Sequence, residues 1–178
     1  MLRAAGGQCY ALSLTSTHNV LVTLADTRRV QEYSPDGRLI REISLDESIV
    51  SPQHTVQLSS DRLLVSHGER ETLHRVCLVT MNRSILQCYG GARGSGDGQL
   101  DVPRDLAVDR HGNVLVADSW NNRVVLLSPS LTLLGYITVS GHELSEPYAL
   151  HLDLLTHRLY IGEWSGTGRL LALGVDES

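Results

Sequence analysis

The sequence repeats with a period of about 45 residues, and this period restricts the chain to a few architectures. An arginine followed by an aliphatic residue recurs at intervals of 46, 48 and 46 residues, at Arg29, Arg75, Arg123 and Arg169. The four residues of Asn19–Val22 also return unchanged 94 positions later. Such regular spacing indicates a tandem array of one small structural unit. The chain is therefore expected to be a repeat protein of four units.

Each unit is predicted to consist of short β-strands. Apolar and polar residues alternate with a period of two in short runs, and turn-forming residues separate the runs, as at Ser34–Gly37 and Asp109–Gly112. The predicted strands are 10–15, 19–24, 29–34 and 38–45 in the first unit and 104–109, 113–118, 123–128 and 132–139 in the third. Tandem units of four antiparallel strands are typical of a β-propeller. We therefore predict an all-β propeller with blades at about 8–47, 50–91, 101–140 and 146–175.

The fourth unit shows three predicted strands, at 147–152, 158–162 and 169–174. A propeller can close when the amino end supplies the missing strand, but Met1–Gly7 lacks the apolar alternation that a strand requires. We therefore expect the four blades to belong to a larger propeller, or the first and last blades to associate through their uncovered edges.

The third unit resembles the NHL repeat. The resemblance is carried by Gly90–Leu100, Pro103, Leu106–Asp109, Gly112–Asp118 and Asn121–Val124. It implies a six-bladed β-propeller of the kind found at the carboxyl end of tripartite-motif ubiquitin ligases, and therefore a scaffold that binds proteins, such as the substrate of a ligase. The RING and B-box zinc-ligand patterns of those ligases do not occur in this chain. A ligase activity would therefore reside in other sequence.

An acidic residue precedes the repeated arginine in two units. This order predicts two structural pairs, Asp118 with Arg123 and Glu163 with Arg169, because a guanidinium offers a carboxylate several donors in a fixed geometry. The acid is replaced by leucine in the first unit and by histidine in the second. The glycine-rich connector Gly90–Gly98 is expected to turn between blades through positive φ angles, which glycine adopts without steric cost.

The composition is that of a globular domain. Of the 178 residues, 42% are apolar and 20% are charged, and no apolar run approaches the roughly 20 residues of a membrane-spanning helix. The amino end shows no secretory signal pattern. The three cysteines are an odd number at no metal-ligand spacing, which favours a reducing compartment. We therefore expect a cytoplasmic protein with no membrane partner.

Two polar residues are candidates for lining a central channel. His54 and Asp105 share one position at the start of the innermost strand, where the other two units have Ala11 and Ala149. Peptidyl-amidating lyases that share this repeat take their metal ligands from the channel, so a channel-metal lyase or hydrolase is one hypothesis. Alanine donates no ligand, and the sequence offers no nucleophile with a paired base. We therefore predict no metal, no cofactor and no catalytic residue.

The loops at one end of the propeller are predicted to be acidic. The connections between second and third strands share this end with those between blades, and together they hold three arginines and eleven acidic residues, a net charge of −8 against −5 for the whole chain. The candidate contact residues on these loops are Trp120, Asn121, Asn122, Trp164, Glu69, Glu71, Asp97, Asp101, Glu143 and Glu146.

These loops favour protein recognition over catalysis. Exposed tryptophans are frequent anchors at protein interfaces, although packing between neighbouring blades would explain the same two residues. An acidic surface suits a basic or neutral protein segment, whereas binding to a phosphate backbone depends on Lys and Arg. The predicted function is therefore a non-catalytic module that binds a protein partner. Binding of single-stranded RNA, which some NHL propellers carry out, is the alternative, and no DNA partner is expected.

Overall fold

The structure, a computed structural model, describes residues 7–70, 73–164 and 170–174. The strands of the first two sheets are β1 (Cys9–Leu14), β2 (Val20–Leu24), β3 (Arg29–Tyr33), β4 (Leu39–Ser44), β5 (Pro52–Ser59), β6 (Arg62–His67), β7 (Leu73–Thr80) and β8 (Ile85–Ala92). Those of the other two sheets are β9 (Pro103–Val108), β10 (Val114–Asp118), β11 (Arg123–Leu127), β12 (Leu133–Ile137), β13 (Pro147–Asp153), β14 (Arg158–Glu163) and β15 (Leu170–Gly174). A short 3-10 turn, Ser119–Asn121, follows β10.

The four sheets are the four blades of a β-propeller. Within each sheet the strands are antiparallel and lie in chain order, so that each strand pairs with the next one along the sequence. The predicted all-β fold is confirmed, and every strand of the first and third units lies within two residues of its predicted bounds. Across the described ranges, no helix has the length and apolar character needed to cross a bilayer.

The turn between β9 and β10 shows why these hairpins form where the sequence places them. Asp109 Oδ1 accepts hydrogen bonds from the amides of His111 at 2.8 Å and Asn113 at 2.7 Å. Gly112 has a φ of 81° and lies against Pro129, so a side chain there would be strained. The side chain of the aspartate and the backbone freedom of the glycine therefore fix this turn.

The innermost strand of each blade faces a common axis. β1 packs against β5, β5 against β9 and β9 against β13, so consecutive blades meet through these strands. The first residues of all four strands surround one cavity on the axis. Because the connections between blades run directly into these first residues, the cavity lies at the same end of the propeller as those connections.

Aliphatic side chains fill the spaces between blades. Leu63 and Val65 of β6 pack with residues of the first blade, whereas Leu64 of the same strand packs with residues of the third. A third cluster joins the third and fourth blades through Val124 and Ile161. Successive residues of one strand thus point to opposite faces of the sheet and pack against the blades on either side. Because both faces are buried, apolar residues are dense in the middle strands.

Hydrogen bonds near the axis also join each blade to the next. Ser13 Oγ donates to the Thr55 carbonyl at 2.5 Å, and Ser66 Oγ donates to the Arg104 carbonyl at 2.8 Å. The Leu150 amide donates to Asp105 Oδ2 at 2.7 Å. These bonds pair polar groups that the inner strands would otherwise bury without partners.

Two of the cysteines form a disulfide, which the sequence did not predict. Cys77 of β7 lies directly opposite Cys88 of β8, and the two are bonded. Cys9 is a free, exposed thiol. Disulfides persist mainly in oxidising compartments, so the odd number of cysteines gives no support to the expected reducing compartment. Strand register, rather than sequence spacing, brings the two sulfur atoms together.

Removing this disulfide is expected to lower the free energy of unfolding by about 2–3 kcal/mol, because the bond closes a loop of moderate length in the unfolded chain. The measurement is urea denaturation of a Cys77→Ala/Cys88→Ala variant beside the unmodified protein, each with and without a reductant. The reductant should lower the midpoint of the unmodified protein and leave that of the variant unchanged. An identical midpoint for the unmodified protein in both conditions would contradict the expectation.

Candidate functional site

The candidate contact residues and the central cavity occupy the same end of the propeller. We call the connections between second and third strands and between blades the loop face; its described residues are 25–28, 45–51, 68–70, 93–102, 119–122, 138–146 and 164. Antiparallel pairing places all of these connections at one end, and the turns between first and second strands and between third and fourth strands at the other.

Asp118, the last residue of β10, is the centre of a hydrogen-bond network beneath the loop face of the third blade. Its side chain is fully buried, and Arg123 Nε donates to its Oδ2 at 2.7 Å, so the predicted pair is present. The Asp101 amide donates to the other carboxylate oxygen at 2.6 Å, and Asn121 Nδ2 donates to Oδ2 at 2.8 Å. Burial raises the pKa of this carboxyl above its ordinary value, although these three donors oppose the effect.

The same arginine ties the glycine-rich connector to the blade. Arg123 Nη1 donates to the Ser95 carbonyl at 3.0 Å and Nη2 to the Gln99 carbonyl at 2.9 Å. Asn121 Nδ2 is also 2.9 Å from the Gly94 carbonyl. Arg123 therefore has a structural role, and Asn121, which the sequence suggested as a contact residue, points inward to the same network.

The glycines of this connector are needed for two different reasons. Gly90 and Gly98 have positive φ angles of 101° and 73°, as predicted. Gly94 and Gly96 do not have positive φ angles; they lie beside the amide group of Gln99, which folds back into the loop. The prediction that the glycines turn the chain through positive φ is therefore wrong for Gly91, Gly94 and Gly96. At Gly94 and Gly96 a Cβ atom would meet Gln99.

Trp120 is an exposed aromatic side chain on a rigid support. It is 53% exposed, and the guanidinium of Arg93 lies 4.8 Å from the centre of its ring. Arg93 Nε donates to Asp101 Oδ1 at 2.8 Å, and the Trp120 amide donates to the Asp101 carbonyl at 3.1 Å. The cation and the carboxylate together hold one face of the indole ring and leave much of it in solvent.

Trp164 provides a second exposed aromatic side chain on the neighbouring blade. It is 67% exposed and its ring centre is 5.0 Å from that of Tyr148. The Trp164 amide donates to the Glu146 carbonyl at 3.0 Å, and the Glu146 amide donates to Asn122 Oδ1 at 2.8 Å. Asn122 therefore links the two tryptophan-bearing loops, and packing between blades does not account for either ring.

The acidic candidates differ in their exposure. Glu69, Asp97 and Glu143 are exposed, and Ser51 Oγ donates to Glu69 Oε2 at 3.0 Å. Asp101 and Glu146 are half-buried, and Glu71 lies outside the described residues.

In the fourth blade a histidine contacts the acidic residue for which an arginine partner was predicted. The carboxylate of Glu163 is buried, lies 3.1 Å from His142 Nε2 and accepts the Ser145 amide at 2.7 Å. Its predicted partner, Arg169, lies outside the described residues. His142 was missed by the sequence analysis because it lies in the connection before the fourth blade and does not follow the arginine series.

The second blade replaces the acid with a buried neutral base. His67 is fully buried, and burial is the main reason that its pKa is lowered to about 4. Its Nε2 lies 3.6 Å from Cys77 Sγ, beside the disulfide. This blade therefore has no counterpart of the Asp118 carboxylate at the second-strand position.

The central cavity has a volume of about 220 Å³ and is lined by residues of all four blades. Its polar wall consists of Tyr10, Gln53, His54, Arg104, Asp105 and Tyr148, and Ala11, Leu12 and Ala149 complete the lining. His54 Nδ1 and Asp105 Oδ1 are in direct contact, and the Leu106 amide also donates to Asp105 Oδ1 at 2.9 Å. No group of three or more histidine, cysteine or acidic side chains able to share a metal ion occurs within the described part of the chain.

Arg104 and Tyr148 connect this cavity to the loop face. The guanidinium of Arg104 lies 5.2 Å from the Tyr148 ring centre, and the other neighbour of Tyr148 is Trp164. An arginine, a tyrosine and a tryptophan thus form a continuous stack from the cavity wall to the exposed rim. Arg104 and Tyr148 were not predicted from the sequence, although each is directly adjacent to a predicted cavity position, Asp105 or Ala149.

Comparison with known proteins agrees with this fold. Residues 100–125 match the model of the NHL repeat. The third blade therefore contains an NHL repeat, as its residues suggested.

Solved structures with other functions share the architecture at low sequence identity. A catalytically inactive virginiamycin B lyase from Staphylococcus aureus is 14% identical, with a TM-score of 0.64; the match covers 99% of this chain and 59% of the lyase. Hydrazine synthase from Kuenenia stuttgartiensis is 11% identical, with a TM-score of 0.67 and coverage of 98% and 49%. A Bacteroides caccae protein of unknown function is 16% identical, with a TM-score of 0.55 and coverage of 96% and 62%. The chain thus spans about half to three fifths of these proteins, and the likeness concerns the fold.

Proposed function

We propose that this chain is a non-catalytic recognition module that binds a basic or neutral protein segment on its loop face. An NHL propeller is a suitable scaffold for recognition, because its blades hold a broad set of loops in fixed positions. The observation that carries the proposal is the pair of exposed tryptophans, Trp120 and Trp164, on an acidic surface.

The environment of the two rings is that of interface anchors. Large aromatic side chains contribute most when they are held in place before binding, because little conformational entropy is then lost. Arg93 and Tyr148 provide that support at Trp120 and Trp164. The exposed carboxylates of Glu69, Asp97 and Glu143 belong to the same face, and charge of this sign attracts a basic segment at long range.

Charge also decides between protein and RNA as the partner. Aromatic side chains stack on bases as readily as they pack against peptides, so the tryptophans alone would fit both. Affinity for RNA depends on a positively charged path for the phosphate backbone. The loop face instead has a net charge of −5, and one of its arginines, Arg93, already pairs with Asp101.

A channel-metal lyase receives less support from the cavity. His54 and Asp105 lie together, but the equivalent positions in the other blades are alanines. Both carboxylate oxygens of Asp105 already accept backbone amides, those of Leu106 and Leu150. The pair is therefore part of the hydrogen bonding that joins the blades, and we do not propose it as a metal site.

Truncation of the tryptophans tests the proposal. Trp120→Ala and Trp164→Ala should each weaken binding of an arginine-rich peptide by about tenfold or more, as expected for interface anchors, while the melting temperature stays nearly unchanged because both rings are exposed. The matched control is Leu155→Ala, which truncates a 92% exposed apolar side chain at the opposite end of the propeller. Binding is measured by fluorescence anisotropy. Equal affinities for all three variants and the unmodified protein would reject the loop face as the binding surface.

A further inference from the structure

Arg104 is a cation at the wall of the central cavity without a carboxylate partner among the described residues. Its Nη1 donates to Gln53 Oε1 at 2.6 Å, and its guanidinium lies over the Tyr148 ring. Its Nε has no hydrogen-bond partner among the residues that the structure describes. A guanidinium has five N–H donors, so most of the donor capacity of Arg104 is unused within that part of the chain.

The neighbouring acid does not neutralise this arginine. Asp105 is adjacent in sequence, but its carboxylate contacts His54 and accepts the amides of Leu106 and Leu150. Arg123, by comparison, donates to a carboxylate and two carbonyl oxygens. The two arginines therefore differ in their hydrogen bonding. The guanidinium of Arg123 is bonded to groups of its own blade and connector, whereas that of Arg104 has N–H donors left over beside the cavity.

The position of the cavity suits the end of a bound chain. Its volume of about 220 Å³ is small, and its wall is made of the first residues of the inner strands, next to the loop face. The stack of Arg104, Tyr148 and Trp164 runs from the cavity to the rim. A segment that contacts Trp164 could therefore place one terminal or side-chain group against Arg104.

We propose that Arg104 makes the central cavity a carboxylate-binding pocket, which receives a carboxylate of the segment bound on the loop face. This inference rests on the proposed recognition function and adds to it. The guanidinium supplies paired donors that match the two oxygens of a carboxylate, and Tyr10 and Tyr148 add aromatic walls. The carboxylate is that of the chain terminus or of an acidic side chain, and the acidic rim requires that basic residues surround it.

Changes in the ligand test this assignment without altering the protein. The probes are three fluorescein-labelled heptapeptides of alternating glycine and arginine: one with a free carboxyl terminus, one with a terminal amide, and one with the amide and a glutamate in place of the last glycine. The free acid should bind about tenfold more tightly than the amide, the usual contribution of a charge-assisted hydrogen bond. The glutamate peptide then identifies the source: full recovery indicates any carboxylate, and no recovery indicates the chain terminus.

A variant then links the effect to Arg104. Arg104→Gln should abolish the preference for the free acid over the amide, whereas Arg158→Gln, at the opposite end of the propeller, should leave that preference unchanged. An amide that binds as tightly as the acid, with both still dependent on Trp120 and Trp164, overturns the carboxylate pocket and leaves the recognition function standing. Failure of all three peptides to bind rejects both proposals.

Discussion

Replacement of Arg123 with leucine is expected to lower the free energy of unfolding by about 3–5 kcal/mol, the usual cost of breaking a buried ion pair from one side. The reason is that Asp118 is fully buried and would lose its cation. The variant would also lose the hydrogen bonds from the guanidinium to Ser95 and Gln99 in the glycine-rich connector. Urea denaturation at neutral pH measures the difference.

The pH dependence of this loss provides an internal check. Burial already raises the pKa of Asp118 above its ordinary value of 3.8 in the intact protein, and removal of Arg123 removes a cause that lowers it. A folded-state pKa above that of the unfolded chain means that the folded state binds the proton more tightly, so stability falls as pH rises through the folded-state pKa. The destabilisation by Arg123→Leu should therefore be smallest below about pH 4, where the carboxyl is protonated, and larger at pH 7.

The control for this variant is Arg93→Leu on the same connector. Arg93 also pairs with an acid, but its side chain is 34% exposed, so the expected loss is below about 1 kcal/mol. Similar small losses for both variants, independent of pH, would show that the Asp118 pair contributes little to stability.

The strands and the Asp118 pair could be predicted because each depends on local sequence. Alternation of apolar residues determines a strand within a few residues, and turns such as Asp109–Gly112 mark its ends. Asp118 and Arg123 are separated by one short turn, so their pairing follows once the strands are known. The exposure of Trp120 and Trp164 did not follow in the same way, because a ring in this connection could equally have packed between blades.

The remaining contacts depend on distances that only the folded structure sets. Cys77 and Cys88 meet because β7 and β8 pair in one register, and His142 reaches Glu163 from a connection 21 residues away. Arg104 was not predicted because its position at the cavity depends on contacts with Gln53 and Tyr148, which belong to the blades on either side. Sequence patterns describe single blades well, whereas the cavity is a product of all four.

Reversal of the charge on the loop face should change the preferred ligand. Glu69, Asp97 and Glu143 are exposed, so a triple exchange to lysine should preserve the fold while it changes the net charge of the face from −5 to +1. Binding of an arginine-rich peptide should weaken by about tenfold or more, as each reversed contact contributes up to about 1 kcal/mol in low salt. The loss should shrink in 1 M salt, where charges are screened beyond about 3 Å.

A second triple variant separates the effect of this face from that of total charge. Asp36 and Asp61 lie in turns at the opposite end of the propeller, where Asp153 ends β13, and the exchange of all three to lysine changes the net charge of the chain by the same amount. At 0.15 M salt, peptide binding by this control should remain within about threefold of the unmodified protein. A strand of six residues or more spans roughly 20 Å between the two ends, which exceeds the Debye length of about 8 Å. An equal loss in both variants would mean that overall charge, and not the face, attracts the peptide.

The most direct test of the recognition function is a competition between two ligands on the unmodified protein at physiological salt. An arginine-rich peptide and a pool of random single-stranded RNA are each titrated against the protein, and each is then used to displace the other. We expect the peptide to bind more tightly and the RNA to bind only weakly and without sequence preference, because a face of net charge −5 repels a polyanion. RNA binding at submicromolar strength that displaces the peptide would contradict the account and make RNA the ligand of this propeller.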